Sequence, residues 1–182
     1  MNTSEAVELI RGAIPRGGGT WADLGSGDGT FTRALVELLG PGSRIYAVDR
    51  NATAIAALRR WVAKGESRVI PVVADFTLPF DLPGPDKMTL DGMLLANALH
   101  FVAEAESVLA RLAARLRPGG RVVIVEYDRR PASRWVPYPV PAERLPALAA
   151  AAGLSTLVIK AKRASAFGGN LYVAVAERLD PV

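Results

Sequence analysis

The stretch from Trp21 to Phe31 most constrains the fold, because it places three glycines at alternate positions directly after a short apolar segment. Glycine adopts positive φ without steric cost and has no Cβ. Gly25, Gly27 and Gly29 therefore let a ligand approach the backbone where a strand turns into a helix. A glycine-rich turn that binds nothing is the alternative interpretation.

The acids beside this turn indicate which ligand it takes. Asp23 and Asp28 would repel the pyrophosphate of a dinucleotide but attract the sulfonium and ammonium groups of S-adenosylmethionine. The dinucleotide fingerprint also requires a glycine where this chain has Thr30, and the phosphate-binding P-loop requires a lysine that does not occur between Met1 and Trp61. The turn therefore favours a cationic cofactor.

Strand-like and helix-like segments alternate along the chain, which predicts parallel strands joined by helices. The last two strands are joined by a short turn around Gly168 and Gly169, so they must be antiparallel. We expect an α/β, Rossmann-like, doubly wound fold with a mostly parallel seven-stranded sheet and a C-terminal antiparallel hairpin. A first helix over residues 3–13 is expected to pack across the sheet or cap the site, and Arg-Pro-Gly-Gly at 117–120 is expected to form a tight turn. The remaining predicted helices are 30–39, 51–63, 104–116 and 142–152, and the predicted strands are 20–24, 44–49, 68–74, 90–96, 121–127, 154–162 and 171–177.

Length and composition set further limits. The 182 residues suit a single domain spanning residues 1–182. The chain has no cysteine, which excludes a thiolate zinc site and methylation of cytosine C5 through a cysteine adduct. No metal site is predicted. The N-terminus lacks a secretory signal and no stretch of 18 apolar residues occurs, so we expect a cytoplasmic protein without a membrane segment.

The net charge of +4 is concentrated in a run of arginines in the second half of the chain. Only Glu126 and Asp128 oppose that run. Two interpretations are open, an anionic substrate or nucleic acid bound by the arginines, or a solvated helix face with its flanking loops. The run consists of Arg111, Arg115, Arg117, Arg121, Arg129, Arg130 and Arg134.

Five motifs, in this order and spacing, resemble the class I S-adenosylmethionine-dependent methyltransferases of the type 11/12 kind. Each motif is weak alone, but together they are specific and extend over nearly the whole chain. The resemblance implies a seven-stranded sheet with an antiparallel last strand and S-adenosylmethionine as cofactor. The motifs are Asp-Leu-Gly-Ser-Gly-Asp-Gly at 23–29, Ile-Tyr-Ala-Val-Asp at 45–49, Val-Ala-Asp-Phe at 73–76, Asn-Ala-Leu-His-Phe at 97–101 and Leu-Arg-Pro-Gly-Gly-Arg-Val-Val-Ile at 116–124.

The resemblance also implies roles for single residues. Asp49 would accept hydrogen bonds from the ribose hydroxyls, although it could instead cap the following helix. Asp75 would accept the adenine amino group or be a turn aspartate, and Phe76 would pack on the ring. Asp23 would order the glycine turn or meet the amino-acid end of the cofactor. Asn97 would line the methionine side or cap a turn. The full predicted cofactor set is Asp23, Gly25, Ser26, Gly27, Asp49, Arg50, Asp75, Phe76, Asn97 and Ala98.

Catalytic candidates follow the fourth and fifth strands. His100 is the only histidine, and Glu126, Tyr127 and Asp128 end a strand where they could orient or deprotonate a substrate. The alternatives are a structural histidine and a polar strand terminus. Residues 129–140, rich in proline and aromatic side chains, are expected to form a lid over the acceptor or a hydrophobic latch on the sheet edge.

These observations predict a methyltransferase acting on an undetermined, small-molecule acceptor. The chain lacks the Asn/Asp-Pro-Pro-Tyr motif of enzymes that methylate exocyclic amines of DNA bases or glutamine amides. Three alternatives stay open: an RNA or protein methyltransferase, a cofactor-binding module without catalysis, and an NAD-dependent oxidoreductase. The methylated atom and the oligomeric state are left undetermined.

Overall fold

The computed structural model describes residues 1–84, 89–165 and 168–180. Pro85, which the sequence places in a proline-rich connection, lies outside them. Seven strands form one sheet in the order β3-β2-β1-β4-β5-β7-β6. The strands are β1 (Gly19–Leu24), β2 (Ser43–Asp49), β3 (Val69–Val73), β4 (Leu90–Ala96), β5 (Leu116–Asp128), β6 (Val158–Ala164) and β7 (Asn170–Glu177), and the α-helices are α1 (Thr3–Ile10), α2 (Thr30–Leu39), α3 (Ala52–Val62), α4 (Ala105–Ala113) and α5 (Leu145–Ala151).

The sheet is covered by helices on both faces, because its central strands are apolar on both sides. Along β2, Ile45 and Ala47 face α1, α2 and α3, whereas Tyr46 and Val48 face α4 and α5. All four side chains are fully buried. Continuous apolar strands of this kind are typical of a parallel sheet between two helical layers.

The strand order reverses at β1, and this reversal positions the site. From β1 the chain moves outward through β2 to β3, and it then crosses back to place β4 on the other side of β1. The connections after β1 and β4 leave on opposite faces, so a crevice opens between the carboxyl ends of these two strands. The predicted doubly wound sheet and its antiparallel hairpin, β6 with β7, are confirmed.

Three local predictions differ from the structure. Helix α1 ends at Ile10 and packs on α2 and β6, with Glu5 paired to Arg163, so it packs over the sheet and does not cap the site. Residues 117–120 belong to β5, because Gly119 and Gly120 exchange backbone hydrogen bonds with Arg178. Strand β6 begins at Val158, since the residues before it pair only through an isolated bridge at Leu154.

Two kinds of feature, a membrane-spanning helix and a metal site, were sought in the parts of the chain that the structure describes. No helix there combines the length and the apolar character that crossing a bilayer requires. No group of histidine and acidic side chains there is arranged to hold a metal ion.

Candidate active site

A cleft opens at the carboxyl ends of the central strands, at the point where the strand order reverses. We call it the switch-point cleft. It brings together the glycine turn after β1, the end of β2, the segment after β3 and the segment after β4, which are far apart in sequence. Its lining residues are Gly25, Asp49, Arg50, Ala74, Asp75, Phe76, Thr77, Asn97, Ala98 and Phe101.

Gly25 forms the floor of this cleft and tolerates no side chain. A Cβ added there would lie 2.7 Å from Ala98 Cβ and 3.4 Å from Phe76 Cε1, and the residue has φ of +80°. The turn is held down because the backbone N–H groups of Gly25 and Ser26 both donate to Val48 O, at 2.8 and 3.0 Å. The absence of a side chain therefore lets the turn pack against Ala98 and Phe76, while the Gly25 backbone lines the cleft.

Asp49 links the glycine turn to the end of β2. Its Oδ2 accepts the Gly27 N–H at 2.8 Å and its Oδ1 accepts the Asn51 N–H at 2.7 Å. Asn51, and not Asp49, caps α3, because its side chain accepts the N–H groups of Thr53 and Ala54. Each carboxylate oxygen of Asp49 keeps a second lone pair, so it can still accept a hydroxyl from a ligand in the cleft.

Asp75 shows features of both interpretations that the sequence left open. Its Oδ1 accepts the N–H and the hydroxyl of Thr77, at 2.9 and 2.7 Å, as a turn aspartate does. Its Oδ2 lies 3.8 Å from Arg50 Nη1 at the edge of the cleft. Partial burial raises the pKa of Asp75, but the Thr77 hydrogen bonds and the Arg50 charge outweigh it and leave the pKa below its usual value. The carboxyl group is therefore ionised and faces the cleft beside Phe76.

Asp23 lies under the cleft and not in it. The side chain is 1% exposed, and its Oδ2 accepts the Thr32 hydroxyl at 2.6 Å in the first turn of α2. Burial raises the pKa of Asp23 to about 7, the Thr32 hydrogen bond opposes this, and the neighbouring charge of Asp49 adds to it. Asp28 is exposed. The charge preference that the sequence assigned to Asp23 and Asp28 therefore comes from Asp49 and Asp75, which line the cleft.

The raised pKa of Asp23 predicts a pH-dependent stability. Because the folded protein holds the proton more tightly than the unfolded chain, stability is highest below about pH 4 for this group and falls as the pH rises to about 7. The expected loss is at most on the order of 4 kcal/mol. Thermal unfolding of the ligand-free protein between pH 5 and 8 measures it, and Asp23→Asn, which keeps an acceptor for Thr32, should flatten the dependence. An equal slope in both proteins would contradict the assignment.

Two buried polar atoms at the cleft have no partner among the described residues. They are Ser26 Oγ, in the glycine turn, and Asn97 Oδ1, after β4. Asn97 has φ of +53°, a left-handed conformation that asparagine tolerates better than most residues, and its side chain caps no turn. Since buried polar groups are nearly always satisfied, these atoms indicate a polar ligand between β1 and β4.

His100 and Glu126 form a buried pair between the ends of β4 and β5. His100 Nδ1 lies 2.7 Å from Glu126 Oε2, and the His100 backbone N–H donates to Oε1 at 3.1 Å. The exposed fractions are 3% and 0%. A carboxylate at Nδ1 favours the tautomer with the proton on that nitrogen, which leaves Nε2 as a proton acceptor.

A second cavity of about 440 Å³ lies against His100. We call it the aromatic cavity, because Phe101, Tyr127 and Trp135 form most of its wall. Asn97 and Phe101 line both this cavity and the switch-point cleft, so the two adjoin. The other lining residues are His100, Arg130 and Val136.

Residues 129–140 show features of both interpretations that the sequence left open. Val136 and Val140 are buried, as in a latch, whereas Trp135 is exposed at the aromatic cavity. The segment is fixed to the site because the Tyr138 N–H donates to His100 O at 2.9 Å. Tyr172 of β7 donates its hydroxyl to Val140 O at 2.7 Å. Burial, with the charges of Glu126 and Asp128, raises the pKa of the Tyr172 hydroxyl, so it remains a donor.

Asp128 does not join the other candidates at the end of β5. Its Oδ1 accepts the Ala142 N–H at 3.3 Å and its Oδ2 lies 3.3 Å from Lys162 Nζ. The structure therefore brings His100, Glu126 and Tyr127 together and leaves Asp128 in a surface contact.

The arginine run divides into three groups. Arg111 and Arg115 are tied to the segment after β3, where Arg111 donates to Phe76 O and Leu78 O and Arg115 donates to Phe80 O. Arg117 and Arg121 pair with Asp91 and Glu177. The last three, Arg129, Arg130 and Arg134, belong to the 129–140 segment.

Two residues that shape the site were given no role there by the sequence analysis. Arg111 holds the backbone that carries Phe76, and Phe101 forms the wall shared by the cleft and the cavity. An arginine on an exposed helix face gives no signal of a carbonyl partner 35 residues away. Phe101 was visible only as the last residue of the motif at 97–101.

Fold and site together define a class of protein: residues 22–122 match the methyltransferase domain family, and the chain belongs to it. This confirms the family predicted from the motifs. The residues at the switch-point cleft fit S-adenosylmethionine, because the Gly25 backbone lines the cleft and the unpartnered oxygens of Asn97 and of the adjacent Ser26 can accept hydrogen bonds from an ammonium group.

The chain is similar in sequence to a curated methyltransferase and in structure to two bacterial proteins. Over 125 residues the chain is 34% identical to demethylmenaquinone methyltransferase of Clavibacter sepedonicus, which covers 69% of this chain and 48% of that protein. The chain thus spans about half the length of this relative. The structure of 1,6-didemethyltoxoflavin-N1-methyltransferase from Burkholderia thailandensis superposes with a TM-score of 0.77 at 24% identity, over 98% of this chain and 78% of that one. The YcgJ protein of Bacillus subtilis superposes with a TM-score of 0.78 at 13% identity, over 98% and 100%.

Proposed function

We propose that this chain transfers a methyl group from S-adenosylmethionine to a small-molecule acceptor bound in the aromatic cavity. The observation that carries the proposal is the wall of Asn97 and Phe101 that the cavity shares with the switch-point cleft. Two ligands, one on each side of this wall, would place their reactive atoms side by side. Holding the reactants in contact and excluding water accounts for most of the rate enhancement in such a displacement.

Different residues at the switch-point cleft bind different parts of the cofactor. Asp49 accepts the ribose hydroxyls with the lone pairs left over from Gly27 and Asn51. Asp75 Oδ2 accepts the adenine amino group, and Phe76 packs on the ring. Ser26 and Asn97 supply oxygens for the ammonium end, which satisfies their own buried atoms.

His100 and Glu126 supply the proton chemistry. S-adenosylmethionine, when bound, offers a methyl carbon that positive sulfur already activates. An acceptor hydroxyl must lose its proton to attack that carbon, and His100 lines the cavity where this hydroxyl would lie. Its Nε2, the ring nitrogen that Glu126 does not contact, would take the proton. Glu126, held 2.7 Å from Nδ1, orients the ring and stabilises the imidazolium that forms.

The relatives support a small acceptor. The names of the Clavibacter and Burkholderia proteins describe methyl transfer to a demethylmenaquinone and a didemethyltoxoflavin, both small molecules. The cavity volume of about 440 Å³ falls within the usual range for such ligands. The cytoplasmic location and the single-domain organisation stay predictions.

A methyl-transfer assay on hydroxylated aromatic compounds, with calorimetry of cofactor binding, tests the proposal. We expect S-adenosylhomocysteine to bind, NADH not to bind, and labelled methyl to enter at least one compound of the panel. Binding of NADH in place of S-adenosylhomocysteine would indicate an oxidoreductase. Binding of S-adenosylhomocysteine without transfer to any acceptor would indicate a module without catalysis.

An RNA or protein acceptor is the second candidate, favoured by the exposed Arg129 and Arg134 beside the cavity. The dependence of acceptor binding on salt concentration distinguishes an RNA acceptor from a neutral small molecule. Raising salt from about 50 to 200 mM should weaken RNA binding by about 10³-fold or more if many phosphates are contacted, whereas transfer to a neutral small acceptor should change little.

A further inference from the structure

Two arginines of α4 bind the main chain that follows β3. Arg111 Nη2 donates to Phe76 O at 3.1 Å, and its Nη1 donates to Leu78 O at 2.9 Å. One turn further along the helix, Arg115 Nη1 donates to Phe80 O at 2.6 Å, and its Cζ lies 4.6 Å from the centroid of the Phe80 ring. The two side chains thus hold three alternate carbonyls of one irregular segment. We call this arrangement the α4 clamp.

The α4 clamp reaches the part of the switch-point cleft that is assigned to adenine. Asp75 and Phe76 line this cleft, whereas Phe80 does not. Arg111 therefore holds the backbone at the residue that follows Asp75, and Arg115 holds it outside the cleft. The two arginines make the same kind of contact at different distances from the site.

Asp75 lies between two points at which its segment is attached to the rest of the protein. On the strand side, the Ala74 N–H donates to the end of β2 at 3.1 Å, and on the other side Arg111 holds the next residues. The hydrogen bonds from Thr77 to Asp75 stay within the segment, so they do not attach it to another element. Arg50, 3.8 Å from the carboxylate, is 72% exposed, and such a pair contributes little. Removing the Arg111 bonds would therefore loosen the segment on the side of Asp75 away from the strand.

The helix that carries the α4 clamp is also joined to the other wall of the cleft. Helix α4 begins at Ala105, shortly after Phe101, which lines the cleft together with Asn97 and Ala98. Through Arg111 the same helix is bonded to the wall that follows β3. Helix α4 therefore holds these two walls at a fixed distance from each other.

From these contacts we infer that Arg111 is a positioning residue for recognition of the adenine base, whereas Arg115 supports only the fold. This rests on the proposed function, in which Asp75 Oδ2 accepts the adenine amino group. A carboxylate distinguishes a base with this amino group from a base without it only when it is held at hydrogen-bond distance, because hydrogen bonds weaken steeply with poor geometry. Arg111 therefore affects which base is preferred, and not only how stable the protein is.

Calorimetry with two ligands that differ only in the amino group tests this without depending on turnover. The ligands are S-adenosylhomocysteine and its purine analogue, in which a hydrogen atom replaces the amino group. Wild-type protein should bind S-adenosylhomocysteine about 10- to 100-fold more tightly than the analogue, as expected for one hydrogen bond to a charged group. Arg111→Met should reduce that preference to about threefold or less, because it removes both donors. The affinity for the analogue should stay within about threefold, since the ribose and amino-acid contacts are separate.

Arg115→Met is the matched control, because it removes the same type of side chain from the same helix one turn away. It should lower the melting temperature about as much as Arg111→Met, while the preference for S-adenosylhomocysteine stays within about twofold of the wild-type value. Arg111→Lys keeps the charge and can bind one of the two carbonyls, so its preference should be intermediate. If Arg111→Met does not fold, the preference of Arg111→Lys decides.

A preference that is unchanged in the Arg111 variants, or that falls equally in Arg115→Met, would overturn the inference, because the contact would then act only on stability. A wild-type protein that binds both ligands equally would overturn it as well. In each of these cases, labelled methyl transferred to an acceptor would leave the proposed function standing. If the wild type binds neither ligand, the inference and the proposed function both fail.

Discussion

Replacing His100 by asparagine is expected to lower kcat by about 10²- to 10⁴-fold, the usual contribution of a general base. Asparagine is the suitable replacement because its side-chain N–H₂ can still donate to Glu126. Alanine would leave the buried Glu126 Oε2 without its partner, at a cost of about 3–5 kcal/mol, although the backbone N–H of residue 100 would still donate to Oε1. The affinity for S-adenosylhomocysteine should change by no more than about threefold, since His100 lines the aromatic cavity and not the switch-point cleft.

Two measurements separate a base from a structural histidine. The loss in His100→Asn should shrink as the acceptor hydroxyl is made more acidic, because such a hydroxyl ionises without help. Glu126→Gln keeps a hydrogen bond to the ring but removes the charge that stabilises the imidazolium, so it should lower kcat by a smaller factor. An equal loss for acceptors of every acidity, with a lowered melting temperature, would show that the pair only supports the fold.

Asp49→Ala should weaken the binding of S-adenosylhomocysteine by about 100-fold or more. Two hydrogen bonds from the ribose to a carboxylate are lost, each worth about 1.5–3 kcal/mol. The Gly27 and Asn51 N–H groups lose their acceptor as well, so the glycine turn is held less firmly in the shape that the cofactor meets. Calorimetry on both proteins measures the change, and a melting curve shows whether the variant is folded.

Asp28→Ala is the matched control for Asp49→Ala. It removes a carboxylate from the glycine turn itself, which Asp49 contacts from the end of β2, but Asp28 is exposed and does not line the cleft. Its affinity should stay within about threefold of the wild type. If wild type and Asp49→Ala bind S-adenosylhomocysteine with similar affinity, Asp49 does not bind the ribose. A large loss of affinity in Asp28→Ala would show that Asp28, at the rim of the turn, provides the preference for a cationic cofactor.

Local signals in the sequence were sufficient for the fold. The alternation of apolar segments with helical ones, and the short turn before β7, depend on neighbours in the chain, so they predict the sheet and its antiparallel hairpin. The position of the cleft also follows, because the carboxyl ends of parallel strands meet at one edge. Gly25 could be identified for the same reason, as its special backbone is a local property.

Long-range contacts could not be predicted in this way. The burial of Asp23 depends on Thr32 and on how α2 covers β1, so its raised pKa and its distance from the cleft were invisible in the motif. Asp28 flanks the glycine turn in the sequence, and only the tertiary structure shows that its side chain is exposed and does not line the cleft. The same holds for Arg130, which differs from the other arginines of its run by stacking on Tyr127 at a cavity.

The hydrogen bonds that hold residues 129–140 on the protein allow side chains of this segment to change during evolution. Two of its ties to the rest of the molecule end on main-chain atoms, the Tyr138 N–H and the Val140 carbonyl. Exchanging Trp135 or the side chain of Tyr138 leaves those ties intact. New ligand preferences can therefore arise by substitution in this segment while the proton-transfer pair beneath it stays where it is.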